Sequence, residues 1–290
     1  MTLRLRDRHL DLAEPVLMGI VNAGPDSFSD PGSRGLDELV RVALEHAEAG
    51  AALIDVGGES GRTDRDPVSE EEEIGRVAPL VERLAGEGLA VSVDTWRAPV
   101  ARAALAAGAA MINDVSGLSD LGTADACAET GAALVVTHTR LPPKVKGFPE
   151  YDDVVADVAA LLRERCAQAR ERGVEEDQLV LDPGIDLAKT PAESIEVMRR
   201  LPELAELGRP LLLAISRKDF VGALTERPPA GRLAGTLAAV GAAADGGAKI
   251  LRVHDVAAAS DYLRVRAALD GGGPVDPGLR LRDDLRREPA

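Results

Sequence analysis

Cysteine is scarce in this chain of 290 residues: Cys127 and Cys166 stand far apart and no CxxC occurs. That pair builds neither a disulfide framework nor a thiolate metal site, so both are expected to be packing residues in a reducing compartment. Long apolar runs are also missing. No stretch reaches the roughly 18 residues of a membrane-spanning helix, and residues 1–15 are charged, without the apolar segment of a secretion signal. A cytoplasmic protein is the expectation. Positive charge is in deficit, with 34 Lys and Arg against 49 Asp and Glu, a net charge of -15. Nucleic acids and anionic membrane surfaces are therefore poor candidate partners, although a local basic cluster for a small phosphate remains allowed.

What is present is a repeat of short apolar runs, each followed by an amphipathic stretch. The runs cover residues 16–22, 52–58, 90–95, 111–116, 133–138, 179–184, 210–216 and 249–254. Helical patterns separate them, and a last one covers 256–269. Strands alternating with helices build right-handed βαβ units and a parallel sheet. Eight such units in a chain that is 45% hydrophobic predict one α/β domain, a closed TIM (β/α)8 barrel, here over residues 1–276. Gly50-Ala51, Gly108-Ala109, Gly131-Ala132 and Gly247-Ala248 recur between a helix and the next strand, where glycine can take the left-handed conformation. Residues 277–290 lack apolar periodicity and follow Gly271-Gly272-Gly273, so a flexible C-terminal tail is expected there. Three connections that follow strand C-termini are long, at 25–35, 60–69 and 139–151, and the first two are candidate lids.

The strands end on polar residues: Asn22, Asp55, Glu59, Asp94, Asn113, His138, Asp182, Lys218, Arg252 and His254. In a barrel all these ends meet at one mouth. Any one of them could be a loop cap or a satisfied core group; the whole set is harder to dismiss. Asp94, Asn113 and Asp182 suit a flat heterocycle with several N–H donors, since a carboxylate can take two parallel N–H bonds. Arg62, Arg252 and His254 offer donors to an anion such as phosphate, and Lys218 could serve either group.

The chain resembles the dihydropteroate synthase family. The segments that carry the resemblance are Met18-Gly19-Ile20-Val21-Asn22, Pro25-Asp26-Ser27-Phe28-Ser29-Asp30, Ile54 to Ser60, Ser92-Val93-Asp94-Thr95, Ile112 to Ser116, Leu181-Asp182-Pro183-Gly184, Ser216-Arg217-Lys218 and Arg252-Val253-His254-Asp255. They occur in family order. The resemblance implies a homodimeric barrel that joins 6-hydroxymethyl-7,8-dihydropterin pyrophosphate to p-aminobenzoate with Mg²⁺ assistance. Asp182, Asn113 and Asp94 would bond the pterin, with Lys218 along the ring. Asn22, Arg252 and His254 would receive the pyrophosphate, with Asn22 near the metal. Asp30, together with Asp94 and Lys218, would act at the reacting pterin, and Phe28 would wall the arylamine pocket.

Some positions depart from the family pattern. A threonine is missing from Asn22-Ala23-Gly24-Pro25, and Glu59-Ser60-Gly61-Arg62-Thr63 lacks the family's threonine and proline. The family's Pro-Gly-Ile-Gly-Phe becomes Pro183-Gly184-Ile185-Asp186-Leu187, and its frequent Met-His is Thr137-His138. Asp219 follows Ser-Arg-Lys where the family often has serine, at a helix N-terminus expected to receive the p-aminobenzoate carboxylate. Asp219 is expected either to cap that helix or to place a like charge there, repelling a carboxylate at about 4 Å by about 4 kcal/mol at an effective dielectric near 20. Two other functions thus stand beside the synthase: a divergent pterin-binding homologue without that activity or using a non-anionic amine, and a pterin-barrel methyltransferase.

Overall fold

The computed structural model describes residues 1–24, 35–59, 66–271 and 275–286. The candidate residues Phe28, Asp30 and Arg62 lie outside them. Eight parallel strands close a barrel: β3 (Val16–Asn22), β4 (Ala51–Gly57), β5 (Val91–Asp94), β6 (Met111–Asp114), β7 (Ala133–Thr137), β8 (Leu179–Asp182), β9 (Leu211–Ala214) and β10 (Ala248–Val253). β10 pairs with both β3 and β9, which completes the ring. The TIM barrel expected from the sequence is the fold observed.

Strand residues alternate between two surroundings, as the two-residue side-chain period requires. Ile54, Val56, Val91, Val93, Ile112, Leu134, Val136, Leu179, Leu181, Leu213 and Leu251 pack in the layer shared with the helices. Leu53, Met111, Ala133, Val135, Val180, Leu212 and Ile250 fill the barrel interior. Two residues beyond these inner side chains come Asp55, Asn113, Thr137, Asp182 and Arg252. β4, β6, β7, β8 and β10 therefore each carry an apolar inner layer that changes to a polar one toward the C-terminal end.

Among the described residues the α-helices are α1 (Leu36–Glu48), α2 (Glu70–Gly86), α3 (Ala98–Ala106), α4 (Gly122–Thr130), α5 (Val154–Glu171), α6 (Pro191–Arg199), α7 (Leu201–Ala205), α8 (Asp219–Thr225), α9 (Leu233–Asp245) and α10 (Val256–Leu269). The short α7 and α8 are additions to the one-helix-per-strand pattern. Gly50, Gly108, Gly131 and Gly247 take φ of +103°, +109°, +72° and +93°, the left-handed conformation expected of the repeated turn.

The N-terminal stretch is not irregular. It forms an antiparallel hairpin of β1 (Thr2–Leu5) and β2 (Arg8–Asp11). Leu3, Leu5 and Leu12 are buried in the same cluster as the barrel interior, so the hairpin plugs the end opposite the polar layer. Arg6 fastens it: its backbone N–H donates to Gly131 O and its guanidinium to Leu105 O and Ala109 O. Among the described residues no helix is long and apolar enough to cross a membrane.

Candidate active site

The polar layer is one connected cluster. Arg252 reaches across the barrel from β10, and its Nε donates to Asp55 Oδ2 at 2.6 Å while Nη2 donates to Asp94 Oδ2 at 2.9 Å. Asn113 Nδ2 donates to the same Asp55 oxygen at 3.2 Å. The strand register sets Asp94 beside Asn113 and Thr137 beside Asp182. Asp94, Asn113, Asp182 and Arg252 therefore line one mouth, as the sequence suggested.

Several acceptors in this layer have no protein partner. Asn113 Oδ1, Asp55 Oδ1, Ser92 Oγ and Thr137 Oγ1 are buried and unpaired. An unpaired buried polar atom costs about 1–3 kcal/mol, a cost retained where a ligand supplies the missing bond. Ser92 and Thr137 were not singled out as site residues. The signal was present, since each sits at an inward position of its strand.

Burial also shapes the acids. Asp182 is 3% exposed, and desolvation raises its pKa, opposed by the Gly184 N–H and by the charges of Lys218, Lys189 and Arg252. Burial pushes the Asp94 carboxyl up to about 7; Arg252 opposes the shift, and Asp55, Glu73 and Asp114 add to it. Asp55, Asp94 and Asp182 surround the single guanidinium of Arg252, and a cation bound beside them would favour the charged forms of Asp94 and Asp182.

A second group lies beside β3. His254 Nδ1 lies within hydrogen-bond distance of the Ser216 hydroxyl at 3.0 Å, and Ser216 Oγ accepts the His254 backbone N–H at 3.2 Å. Burial, then Arg217 and Arg252, lower the His254 pKa to about 4, so the ring is neutral. A groove of about 490 Å³ runs from Asn22 and His254 past Arg217 to His46 and Arg41 on α1. Arg217 is held there by a bidentate pair with Asp255. Among the described residues no group of three or more His, Cys, Asp or Glu could hold a metal.

The third part is the turn after β8. Asp182 Oδ1 accepts the Gly184 N–H at 2.7 Å, and Lys218 Nζ donates to Ile185 O at 2.9 Å. Gly184, Asp186 and Ala188 have φ of +68°, +61° and +50°. A Cβ at Gly184 would lie 2.0 Å from His138 O, so only glycine fits. At the other two positions the left-handed backbone costs about 1–2 kcal/mol per residue, less for aspartate.

Asp186 changes the picture drawn around Asp219. Lys218 is the N-cap of α8 and Asp219 its first residue. The free N–H groups of Asp219 and Phe220 donate to Asp186 Oδ2, at 2.5 and 3.3 Å. The Asp219 side chain is 74% exposed and pairs with Arg232 at 3.0 Å. The carboxylate at this helix end therefore belongs to Asp186, not Asp219. His138 and Glu59 also differ from the strand-end expectation. His138 is fully buried, bonded to Asp157 and Lys189, and Glu59 pairs with Arg97 and Lys144.

The fold is a closed parallel barrel with buried acceptors at its C-terminal mouth, and the family model described as "Pterin binding enzyme" matches residues 18–254, which places the chain in that class. A dihydropteroate synthase of Neisseria meningitidis serogroup C is 44% identical over 271 residues, covering 90% of this chain and 94% of that protein. The crystal structure of the Xanthomonas albilineans dihydropteroate synthase with 4-aminobenzoic acid has a TM-score of 0.86 and 44% identity, covering 93% of this chain and 98% of that one. The same enzyme with 7,8-dihydropteroate has a TM-score of 0.84 at 44% identity, covering 93% and 99%. The chain belongs to the dihydropteroate synthase family and is a transferase.

Proposed function

We propose that the chain condenses 6-hydroxymethyl-7,8-dihydropterin pyrophosphate with p-aminobenzoate, releasing pyrophosphate. The observation that carries this is the ring of unpaired acceptors around Asp94, Asn113 and Asp182. Asp182 and Asn113 take the N–H groups of the pterin, with Asp94 at the ring's reacting side and Lys218 along its face. Arg252, with the imidazole of His254 and the carboxamide of Asn22, receives the pyrophosphate. Asp30 and Phe28, outside the described residues, are assigned by resemblance to the departing cation and to the arylamine wall; Arg62 is assigned to the anion.

In the reaction the bond between the pterin methylene and the pyrophosphate oxygen breaks, and the leaving group takes the electron pair. The positive charge left on the pterin faces Asp94, Asp55 and Asp182. Fixed carboxylates in a water-poor site stabilise such a charge without reorganising. The arylamine lone pair then forms the C–N bond and the amine loses a proton. When bound, Mg²⁺ would supply charge that neutralises the pyrophosphate. Asn22 is the described group suited to hold it, because magnesium keeps several waters and completes its shell with substrate phosphates.

The proposal includes a homodimer, for which exposed Leu224, Val265 and Leu269 offer apolar surface. The proposed compartment is the cytoplasm, supported by two unpaired cysteines. The test is a coupled assay with p-aminobenzoate and uncharged aniline side by side, reading pyrophosphate release. Faster turnover of p-aminobenzoate is expected. Faster turnover of aniline would contradict the assignment of the second substrate.

A further inference from the structure

Lys189 is only 1% exposed, at the end of the turn after β8. A buried ammonium is tolerated only when its N–H groups all find acceptors. Lys189 Nζ has three in reach: His138 Nδ1 at 2.7 Å, Gly184 O at 3.0 Å and Leu187 O at 3.2 Å. Three donors meet three acceptors. The His138 tautomer suits this, because Nε2–H donates to Asp157 Oδ1 at 2.8 Å and leaves Nδ1 to accept. Arg140 in turn holds Asp157 through both carboxylate oxygens. Burial lowers the Lys189 pKa to about 7, with Asp182, Asp157 and Glu193 opposing the shift and Lys218 adding to it.

The two carbonyls that Lys189 grips adjoin the contacts that matter at the mouth. Gly184, which supplies one of them, donates its N–H to Asp182 Oδ1, and Ile185 O, between the two in sequence, accepts Lys218 Nζ. The same turn carries left-handed residues at 184, 186 and 188, so it needs holding. We infer that Lys189 is a positioning residue for pterin binding. By tying Gly184 and Leu187 to the buried His138–Asp157 pair, it sets the geometry of Asp182 and Lys218. The inference rests on the pterin role proposed above for those two residues.

Lys189→Met removes all three bonds at nearly constant volume. Calorimetric titration with the pterin pyrophosphate should show its Kd raised about tenfold, the loss expected for bonds to a charged donor. The KM for p-aminobenzoate at saturating pterin should change less than about twofold, because uniform loss of stability does not select one substrate. Lys189→Gln, which keeps an N–H donor, should recover part of the affinity. A folded Lys189→Met protein with wild-type pterin affinity overturns the inference. If that variant does not fold, His138→Leu decides, since it keeps Lys189 but removes its link to Asp157. A Kd raised about threefold supports the inference and an unchanged Kd overturns it. Asp182→Ala run alongside separates the two proposals: undiminished pterin binding there would defeat the proposed function itself.

Discussion

Single residues at the mouth do chemistry because of how they are buried. His138 and His254 show this most simply. Burial lowers each pKa to about 4; Lys189 adds to the shift at His138, and Arg217 and Arg252 add to it at His254. Both rings are neutral at physiological pH, which His138 needs in order to accept from Lys189. In the unfolded chain each would titrate near 6.5, so acidification from 6.5 toward 4 protonates only the unfolded state. These two groups therefore favour unfolding in that window, by up to about 1.4 kcal/mol per pH unit each. Proton NMR of the four imidazoles (residues 9, 46, 138 and 254) is expected to show the last two without titration above about pH 5. A midpoint near 6.5 for either would mean that its ring is solvated. Thr137 and Ser92 make the opposite point: nothing in their residue type marks them, and only their inward register does.

At the scale of elements, the strands and their glycine turns were legible, because each rests on local sequence. The eight apolar runs fell on the eight strands, and of the polar ends Asp55, Asp94, Asn113 and Arg252 met at the mouth while His138 and Glu59 took other partners. The hairpin of β1 and β2 was not read, because its charged residues hide a Leu3, Leu5, Leu10, Leu12 pattern whose partner is the distant barrel floor. The turn after β8 was read as a motif but not as a structure. Asp186 meets α8 across 33 residues of sequence, and Lys189 meets His138 across 51. Contacts of that separation leave no periodicity to detect. Asp186 also yields a prediction. Asp186→Gly removes a negative charge and frees the Asp219 and Phe220 N–H groups, and glycine accepts the left-handed backbone. The expected result is a KM for p-aminobenzoate lower by about tenfold, equivalent to about 1.4 kcal/mol. It should come with a loss of about 0.5–2 kcal/mol of stability from the missing cap. An unchanged KM in steady-state kinetics would remove Asp186 from arylamine selection.

The whole molecule reconciles strong acidity with an anionic substrate by placement. The surplus of carboxylates is spread over the chain, whereas Lys218, Arg252 and Arg217 gather at one rim around the neutral His254. The barrel makes this possible: β9 and β10 deliver the cations while β4, β5 and β8 deliver Asp55, Asp94 and Asp182. The fold thus sets a cation-favouring floor against an anion-receiving edge, as a reaction that separates pyrophosphate from a pterin cation requires. The most direct test of that arrangement is calorimetric titration of the unaltered protein and of Asp182→Ala with 6-hydroxymethyl-7,8-dihydropterin pyrophosphate. Saturable 1:1 binding per chain, weakened at least about a hundredfold (2.7 kcal/mol) by the substitution, is the predicted result. No heat at high ligand concentration, or equal affinity in the two proteins, would contradict it.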